Sequence, residues 1–143
     1  MSALRLPYSE LSPRAYQGLL SVKNALQDSP LGKPLIELVY LRISQINGCA
    51  FCLEMHSRAL RAGGEQQARL DALAGWRVSG VYSERERAAL EWAESLTRLE
   101  GSGAPDSAYE PLKAHFSDTE ISDLSFACAL MNAFNRLAVG MRL

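Results

Sequence analysis

The chain has 143 residues, 48% of them hydrophobic, and this length suits one domain over residues 1–143 whose core needs no disulfide. Its 15 basic and 16 acidic residues are interspersed and give a formal net charge of −1, which argues against nucleic-acid binding and against a basic membrane-binding surface. The first residues do not resemble a signal peptide, and no apolar run approaches the ~20 residues of a spanning helix, so we expect a cytoplasmic protein.

Apolar residues recur with the ~3.6-residue period of an α-helix, and alternating runs of β-branched residues are absent. We therefore predict an all-α fold of about six to seven helices. Two capping boxes, Ser83 with Glu86 and Ser117 with Glu120, mark helix starts, and prolines and glycines mark other boundaries. In chain order, the predicted helices cover about residues 13–29, 34–46, 49–61, 65–74, 83–99, 108–115 and 117–137.

The second predicted helix, residues 34–46, is apolar on nearly all sides. A helix of this kind is buried, so we expect it at the centre of the fold. This helix and the last one together carry more apolar surface than one small bundle needs to cover. The excess predicts a homo-oligomer.

Two thiols and one of the two histidines follow within ten residues of the end of that helix. If Gly48 ends the preceding helix and a new helix begins near Cys49, then Cys49, Cys52 and His56 lie on one face of the new helix. The free backbone N–H groups of a first helical turn favour a thiolate there. Because the third cysteine, Cys128, lies on the apolar face of the last helix, it is expected to be buried and to play no part in this site.

A dithiol with a nearby histidine has the parts needed to reduce a peroxide. One thiolate attacks the O–O bond, the second thiol resolves the sulfenic acid, and the imidazole supplies a proton to the leaving oxygen. The spacing does not decide which sulfur attacks. The helix dipole favours Cys49, whereas Cys52 lies nearer to His56.

Glu37 is the acidic residue that we expect to join this site, because an unpaired carboxylate is costly in an apolar helix. It could move protons to and from a thiol through His56. The alternative is an ion pair with Arg42 or Arg136. Tyr40, three residues further on, shares the face of Glu37 and is either a member of the site or a core residue.

Three other interpretations of the cysteine pair remain. Both cysteines could pack as small hydrophobic residues, or the pair could reduce disulfides in general. Two thiolates and an imidazole are also zinc ligands, although a fourth ligand is not evident, and such a protein would be a zinc-bound or redox-responsive interaction protein. No glycine-rich phosphate loop or flavin signature is present, so no cofactor is expected.

The pattern resembles a known family. Glu37, then Cys49-Ala50-Phe51-Cys52 twelve residues later, then His56 and Ala59-Leu60-Arg61-Ala62-Gly63, is similar to the AhpD-like alkylhydroperoxidase branch of the carboxymuconolactone decarboxylase family. Asn132-Ala133-Phe134-Asn135-Arg136 resembles the asparagine-rich closing helix of that family. The resemblance covers roughly residues 15–140 and implies an all-α, AhpD-like domain in dimers that assemble further, commonly into trimers or hexamers.

The resemblance also implies roles for individual residues. Cys52 would attack the peroxide and Cys49 would resolve it into a disulfide, while Glu37 and His56 relay protons. An external dithiol or a protein electron donor would restore the thiols. The best-known peroxidases of the family carry a histidine at the position of Phe51, so one part of their relay is absent here. The decarboxylase branch does not depend on the cysteine pair, so its presence favours redox chemistry.

Overall fold

The structure, a computed structural model, describes residues 3–143. Within these residues it contains nine α-helices, two 3₁₀ segments and no β-strand, so the prediction of an all-α fold is confirmed. The helices are α1 (Tyr8–Leu11), α2 (Pro13–Leu26), α3 (Lys33–Asn47), α4 (Ala50–Ala62), α5 (Gln67–Ala72), α6 (Glu84–Thr97), α7 (Leu99–Ser102), α8 (Asp106–Tyr109) and α9 (Asp118–Met141); the 3₁₀ segments are Leu73–Val78 and Glu110–Ala114.

The helix count exceeds the six to seven predicted because the chain also forms single turns. Helices α1, α7 and α8 have four residues each, which is too short to show a periodic apolar pattern. The helix predicted over residues 65–74 begins two residues late and continues as a 3₁₀ segment, where Gly75 leaves the helical region. Likewise, the helix predicted over 108–115 is divided between α8 and the second 3₁₀ segment.

Both predicted capping boxes are present. The Ser83 hydroxyl accepts from the Glu86 backbone N–H at 3.1 Å, and the Glu86 carboxylate accepts from the Ser83 N–H at 2.8 Å. Ser117 and Glu120 make the same pair of bonds at 3.2 Å and 3.0 Å. These bonds satisfy N–H groups that a helix start otherwise leaves free, which fixes where α6 and α9 begin.

Helix α3 lies at the centre, as its apolar composition predicted. It packs against α4, α6 and α9, and nine of its fifteen residues are buried. Val39 and Ile43 are fully buried in the main core, which α6 and α9 complete. A helix surrounded on several sides can present different residues to different neighbours. Glu37 lies on the side of α3 that faces α4.

One buried ionic cluster joins α3 to α6. The Glu94 carboxylate accepts hydrogen bonds from Arg42 and from the Trp76 indole, each at 2.8 Å, and from Arg77 at 3.0 Å. Arg42, Trp76 and Glu94 are each less than a tenth exposed. We call Arg42, Trp76, Arg77 and Glu94 the Glu94 cluster.

Helix α9 is long and apolar enough, by length and composition alone, to cross a membrane. The sequence-based statement that no apolar run approaches this length is therefore too strong. In the structure, α9 packs against α2, α3, α4 and α6. The core helix of a soluble protein has the same composition, so this finding leaves a cytoplasmic location as a prediction.

Candidate active site

The turn between α3 and α4 places the two cysteines. Gly48 ends α3 with φ +66°, a left-handed conformation that L residues adopt at a cost. A Cβ at Gly48 would meet no atom within 4 Å, so the requirement for glycine is conformational rather than steric. Cys49 then caps α4, and its Sγ accepts a hydrogen bond from the Cys52 N–H at 3.3 Å. The predicted helix start at the cysteine motif is therefore correct.

Cys49 and Cys52 are joined by a disulfide, with their Cα atoms 5.3 Å apart. They are 1% and 2% exposed, and they pack against Ala138 of α9. The sulfur atoms therefore lie within bonding reach of each other in the folded chain. This proximity is the first requirement of a dithiol that cycles between two oxidation states.

Glu37 and His56 form a buried pair between α3 and α4. The Glu37 Oε2 atom lies 2.7 Å from His56 Nδ1, and the two side chains are 13% and 4% exposed. An ionised carboxylate only accepts hydrogen bonds, so with Glu37 in that form the bond assigns the proton to Nδ1. The alternative partners of Glu37 are engaged elsewhere, since Arg42 belongs to the Glu94 cluster and Arg136 bonds to Asn132.

The second ring nitrogen of His56 is free. Nε2 is buried and has no hydrogen-bond partner among residues 3–143. A buried polar atom without a partner is uncommon and calls for an explanation. The Glu37 bond fixes the orientation of the ring and therefore the direction in which Nε2 points.

A cavity of about 160 Å³ lies beside His56. Cys52 and His56 both line it, as expected for residues four apart on one helix. Cys49 does not belong to its wall. Of the two cysteines, Cys52 is therefore the one that adjoins the cavity.

Most of the cavity wall is apolar and comes from distant parts of the chain. Helices α1, α2, α3 and α9 all contribute to it, and Phe51 and Met55 of α4 lie at an exposed edge. A second, larger cavity of about 500 Å³ lies on the side of Glu37. Tyr40 and His56 line both cavities, so they stand between the two.

Tyr40 is both a core residue and a neighbour of His56. It is 3% exposed, and its ring centroid lies 5.2 Å from that of His56. Burial raises the pKa of the Tyr40 hydroxyl, and the nearby Glu37 carboxylate raises it further. The phenol therefore stays protonated at neutral pH and is available as a hydrogen-bond donor.

An amide network holds the cysteine turn against α9. The Asn47 side chain donates to Asn132 Oδ1 and to Asn135 Oδ1, each at 3.0 Å. Asn135, which is fully buried, donates in turn to the Ser44 hydroxyl at 3.1 Å. In the sequence, the asparagines of α9 stood out only through the family resemblance. No local pattern indicates that they contact Asn47.

The third cysteine is separate from the pair. Cys128 is fully buried in the main core, as predicted, and burial raises the pKa of its thiol to about 12. It therefore stays protonated and unreactive at neutral pH. As to zinc, no group of three or more His, Cys, Asp or Glu side chains within residues 3–143 is placed to hold a metal ion.

Comparison with known proteins gives the same family as the motif. Residues 13–95, more than half of the chain, match the model of the carboxymuconolactone decarboxylase family. The chain is 31% identical over 137 residues to YdfG, an uncharacterised protein of Bacillus subtilis, and the match covers 96% of this chain and 93% of that protein.

Two crystal structures extend the comparison. A protein of unknown function from Agrobacterium tumefaciens, described as a candidate AhpD antioxidant defence protein, is 42% identical, with a TM-score of 0.94 over 98% of this chain and 96% of the other. An uncharacterised peroxidase-related protein from Silicibacter is 26% identical, with a TM-score of 0.80 over 92% of this chain and 70% of the other. Together with the match over residues 13–95, these likenesses establish that the chain belongs to the carboxymuconolactone decarboxylase family.

Proposed function

We propose that this protein is a thiol-dependent peroxidase that reduces organic hydroperoxides or hydrogen peroxide through Cys49 and Cys52. One observation carries the proposal: Cys52 shares a cavity with His56, whose other nitrogen is bound by Glu37. The family, and relatives described as peroxidase-related or as candidate antioxidant proteins, support the same role.

The first step takes place in the cavity. The Cys52 thiolate attacks the outer oxygen of R–O–OH, an S–O bond forms, and the O–O bond breaks. The leaving RO⁻ takes a proton from His56 Nε2 and departs as ROH, which leaves Cys52 as a sulfenic acid. The negative charge of Glu37 stabilises the imidazolium before this transfer, as a carboxylate does for a catalytic histidine.

The second step converts the Cys52 sulfenic acid into a disulfide, which protects the sulfur from further oxidation. The Cys49 sulfur attacks Cys52, an S–S bond forms, and hydroxide leaves and takes up the Cys49 proton to become water. The product is the disulfide seen in the structure. An external dithiol then gives two electrons and two protons to this disulfide and becomes oxidised itself.

The assignment of Cys52 as the attacking sulfur rests on access. Only Cys52 of the pair lines the cavity, whereas Cys49 sits at the helix cap and accepts the Cys52 N–H. That N–H bond stabilises the negative charge that develops on Cys49 as its proton passes to the leaving hydroxide, which suits a thiol that must resolve a sulfenic acid quickly.

Single-turnover titration of the reduced protein tests the proposal. We expect one equivalent of cumene hydroperoxide to remove two of the three thiols, with cumyl alcohol as product and with Cys128 still reduced. Thiol counting and peptide mass spectrometry measure this. Cumyl alcohol itself is the control and should remove none.

The same experiment separates the two redox alternatives. A general disulfide reductase would turn over a model disulfide faster than any hydroperoxide. Thiols that persist in the presence of excess hydroperoxide, together with rapid loss on adding the model disulfide, would refute a peroxidase and favour that alternative.

Glu37→Gln should lower kcat/KM for hydroperoxide on the order of 100-fold, because the imidazolium loses its charged partner and the ring its fixed tautomer. Both the maximum value of kcat/KM and the shape of its pH profile should change. A merely structural defect would lower the maximum without changing the shape. The control is Glu54→Gln on the exposed side of α4, where the Glu54 pair with Arg58 lies in solvent. Equal activity of Glu37→Gln and Glu54→Gln would exclude Glu37 from the relay.

We also propose that the protein acts in the cytoplasm as a homo-oligomer. Exposed apolar side chains support the homo-oligomer, among them Phe126 and Val139 on α9 and Phe51 on α4.

A further inference from the structure

The cavity beside Cys52 also carries a charge that the proposed chemistry does not use. Lys23 of α2 is half-buried and lines both this cavity and the one beside Glu37. Among residues 3–143 its ammonium group makes no ion pair and no hydrogen bond. Within the described part of the chain, Glu37 is the one acidic side chain that lines either cavity, and it already pairs with His56.

Apart from Lys23 and His56, the side chains around the 160 Å³ cavity are neutral and mostly apolar. Leu143 also lines the cavity, and its main-chain carboxylate makes no ion pair with Lys23 among residues 3–143. Leu20, Met131 and Phe134 provide apolar surface, and no aspartate or glutamate side chain lines it. A cavity of about this volume in a protein core can hold a benzene-sized group. The space therefore fits a compact apolar body rather than a long chain.

Two phenols add donors to the same wall. Tyr8 and Tyr16 lie edge to face, with ring centroids 6.2 Å apart, and both line the cavity. Burial raises the pKa of Tyr8, and the neighbouring Tyr16 raises it further, so the Tyr8 hydroxyl remains a donor. A lysine ammonium group and phenolic hydroxyl donors around one space can together bind an anion.

We propose that the substrate of this site is a compact hydroperoxide that carries a carboxylate, with its apolar body in the cavity and its carboxylate at Lys23. This inference rests on the proposed function for the hydroperoxide group, which must face Cys52 and His56. The apolar wall selects the size of the body, and Lys23 selects the charge at its other end.

Binding to the oxidised protein tests the anion site without any turnover. We expect 4-isopropylbenzoate to bind about tenfold more tightly than 4-isopropylbenzamide, the range expected for one charge-assisted hydrogen bond in a partly buried site. Titration calorimetry measures both. Lys23→Met should abolish this preference and Lys23→Arg should keep it.

The matched control is Lys33→Met, since Lys33 lines the cavity beside Glu37 but not the one beside Cys52. It should keep the tenfold preference. Equal binding of the two ligands, no binding of either, or a preference that survives Lys23→Met would each overturn the proposal. The last result would mean that Lys23 covers the cavity with its aliphatic stem only.

Kinetics then separate this inference from the proposed function. We expect the para-carboxylate derivative of cumene hydroperoxide to have a KM about tenfold lower than cumene hydroperoxide itself. Lys23→Met should raise the KM of the carboxylate derivative and leave the KM of cumene hydroperoxide unchanged. If the benzoate preference holds but neither hydroperoxide is reduced, the peroxidase proposal fails and the anion site stands. If both are reduced with equal KM, the anion site fails and the peroxidase stands.

Discussion

Replacing Cys52 by serine should abolish peroxide reduction, with a loss of at least about 1,000-fold, because a hydroxyl is not ionised at neutral pH and cannot replace the attacking thiolate. Cys52 is the only cysteine of the pair that lines the cavity beside His56. Rapid mixing of the reduced variant with hydroperoxide, followed by measurement of the remaining peroxide, gives the rate.

Cys49→Ser should behave differently. This variant should still consume one equivalent of peroxide at close to the normal rate, and then stop with a sulfenic acid on Cys52 that dimedone traps. Cys128→Ala is the control and should retain full activity, since Cys128 lies in the core away from the pair. A sulfenic acid on Cys49 of the Cys52→Ser variant would reverse the roles assigned to the two sulfurs.

Glu94→Gln should be the most damaging single change to stability among the charged residues. It removes the charge that compensates the buried Arg42, and breaking a buried ion pair in this way costs about 3–5 kcal/mol of unfolding free energy. Trp76 and Arg77 lose the same charged acceptor. Urea denaturation of wild type and variant measures the difference.

The control for this prediction is again Glu54→Gln, which should change the unfolding free energy by less than about 0.5 kcal/mol because both partners of its ion pair are exposed. A loss in Glu94→Gln as small as that of Glu54→Gln would mean that the Glu94 cluster contributes no more than a surface pair.

The same carboxylate predicts a pH dependence. Burial alone would raise the pKa of Glu94, but hydrogen bonds from Trp76, Arg42 and Arg77 outweigh it and bring the pKa below its usual 4.5. A group whose pKa is lower in the folded state stabilises the fold above its unfolded pKa and loses that contribution as the pH falls through the folded value. The difference between wild type and Glu94→Gln should therefore be full above about pH 5.5 and shrink below pH 4.5.

Much of this fold follows from local signals in the sequence. Ser83, Ser117, Pro13 and Gly48 each mark a helix end through their own backbone or side-chain chemistry, so α2, α3, α4, α6 and α9 begin or end within a few residues of the prediction. The sequence does not predict the single turns α1 and α7, because four residues are too few to show a helical repeat of apolar positions. Their formation depends on the rest of the chain rather than on their own composition.

The candidate site divides in the same way. Cys49, Cys52 and His56 are close in sequence, so helical spacing alone predicts that they meet. Glu37 could be identified as unusual in an apolar helix, but its partner could not, since the choice between His56 and an arginine is made by how α3 and α4 pack. Lys23 gave no signal at all, because a lysine on a half-exposed helix is ordinary until the structure shows which space it faces.

The link between Asn47 and the amides of α9 has a consequence for the chemical cycle. The residues just before the cysteines are anchored from outside the four-residue segment that the sulfur bridge closes, so opening the bridge leaves the surrounding backbone clamped in place. We therefore expect the reduced and oxidised forms to share one backbone conformation, so that the proposed redox cycle would move electrons and protons with little movement of the chain.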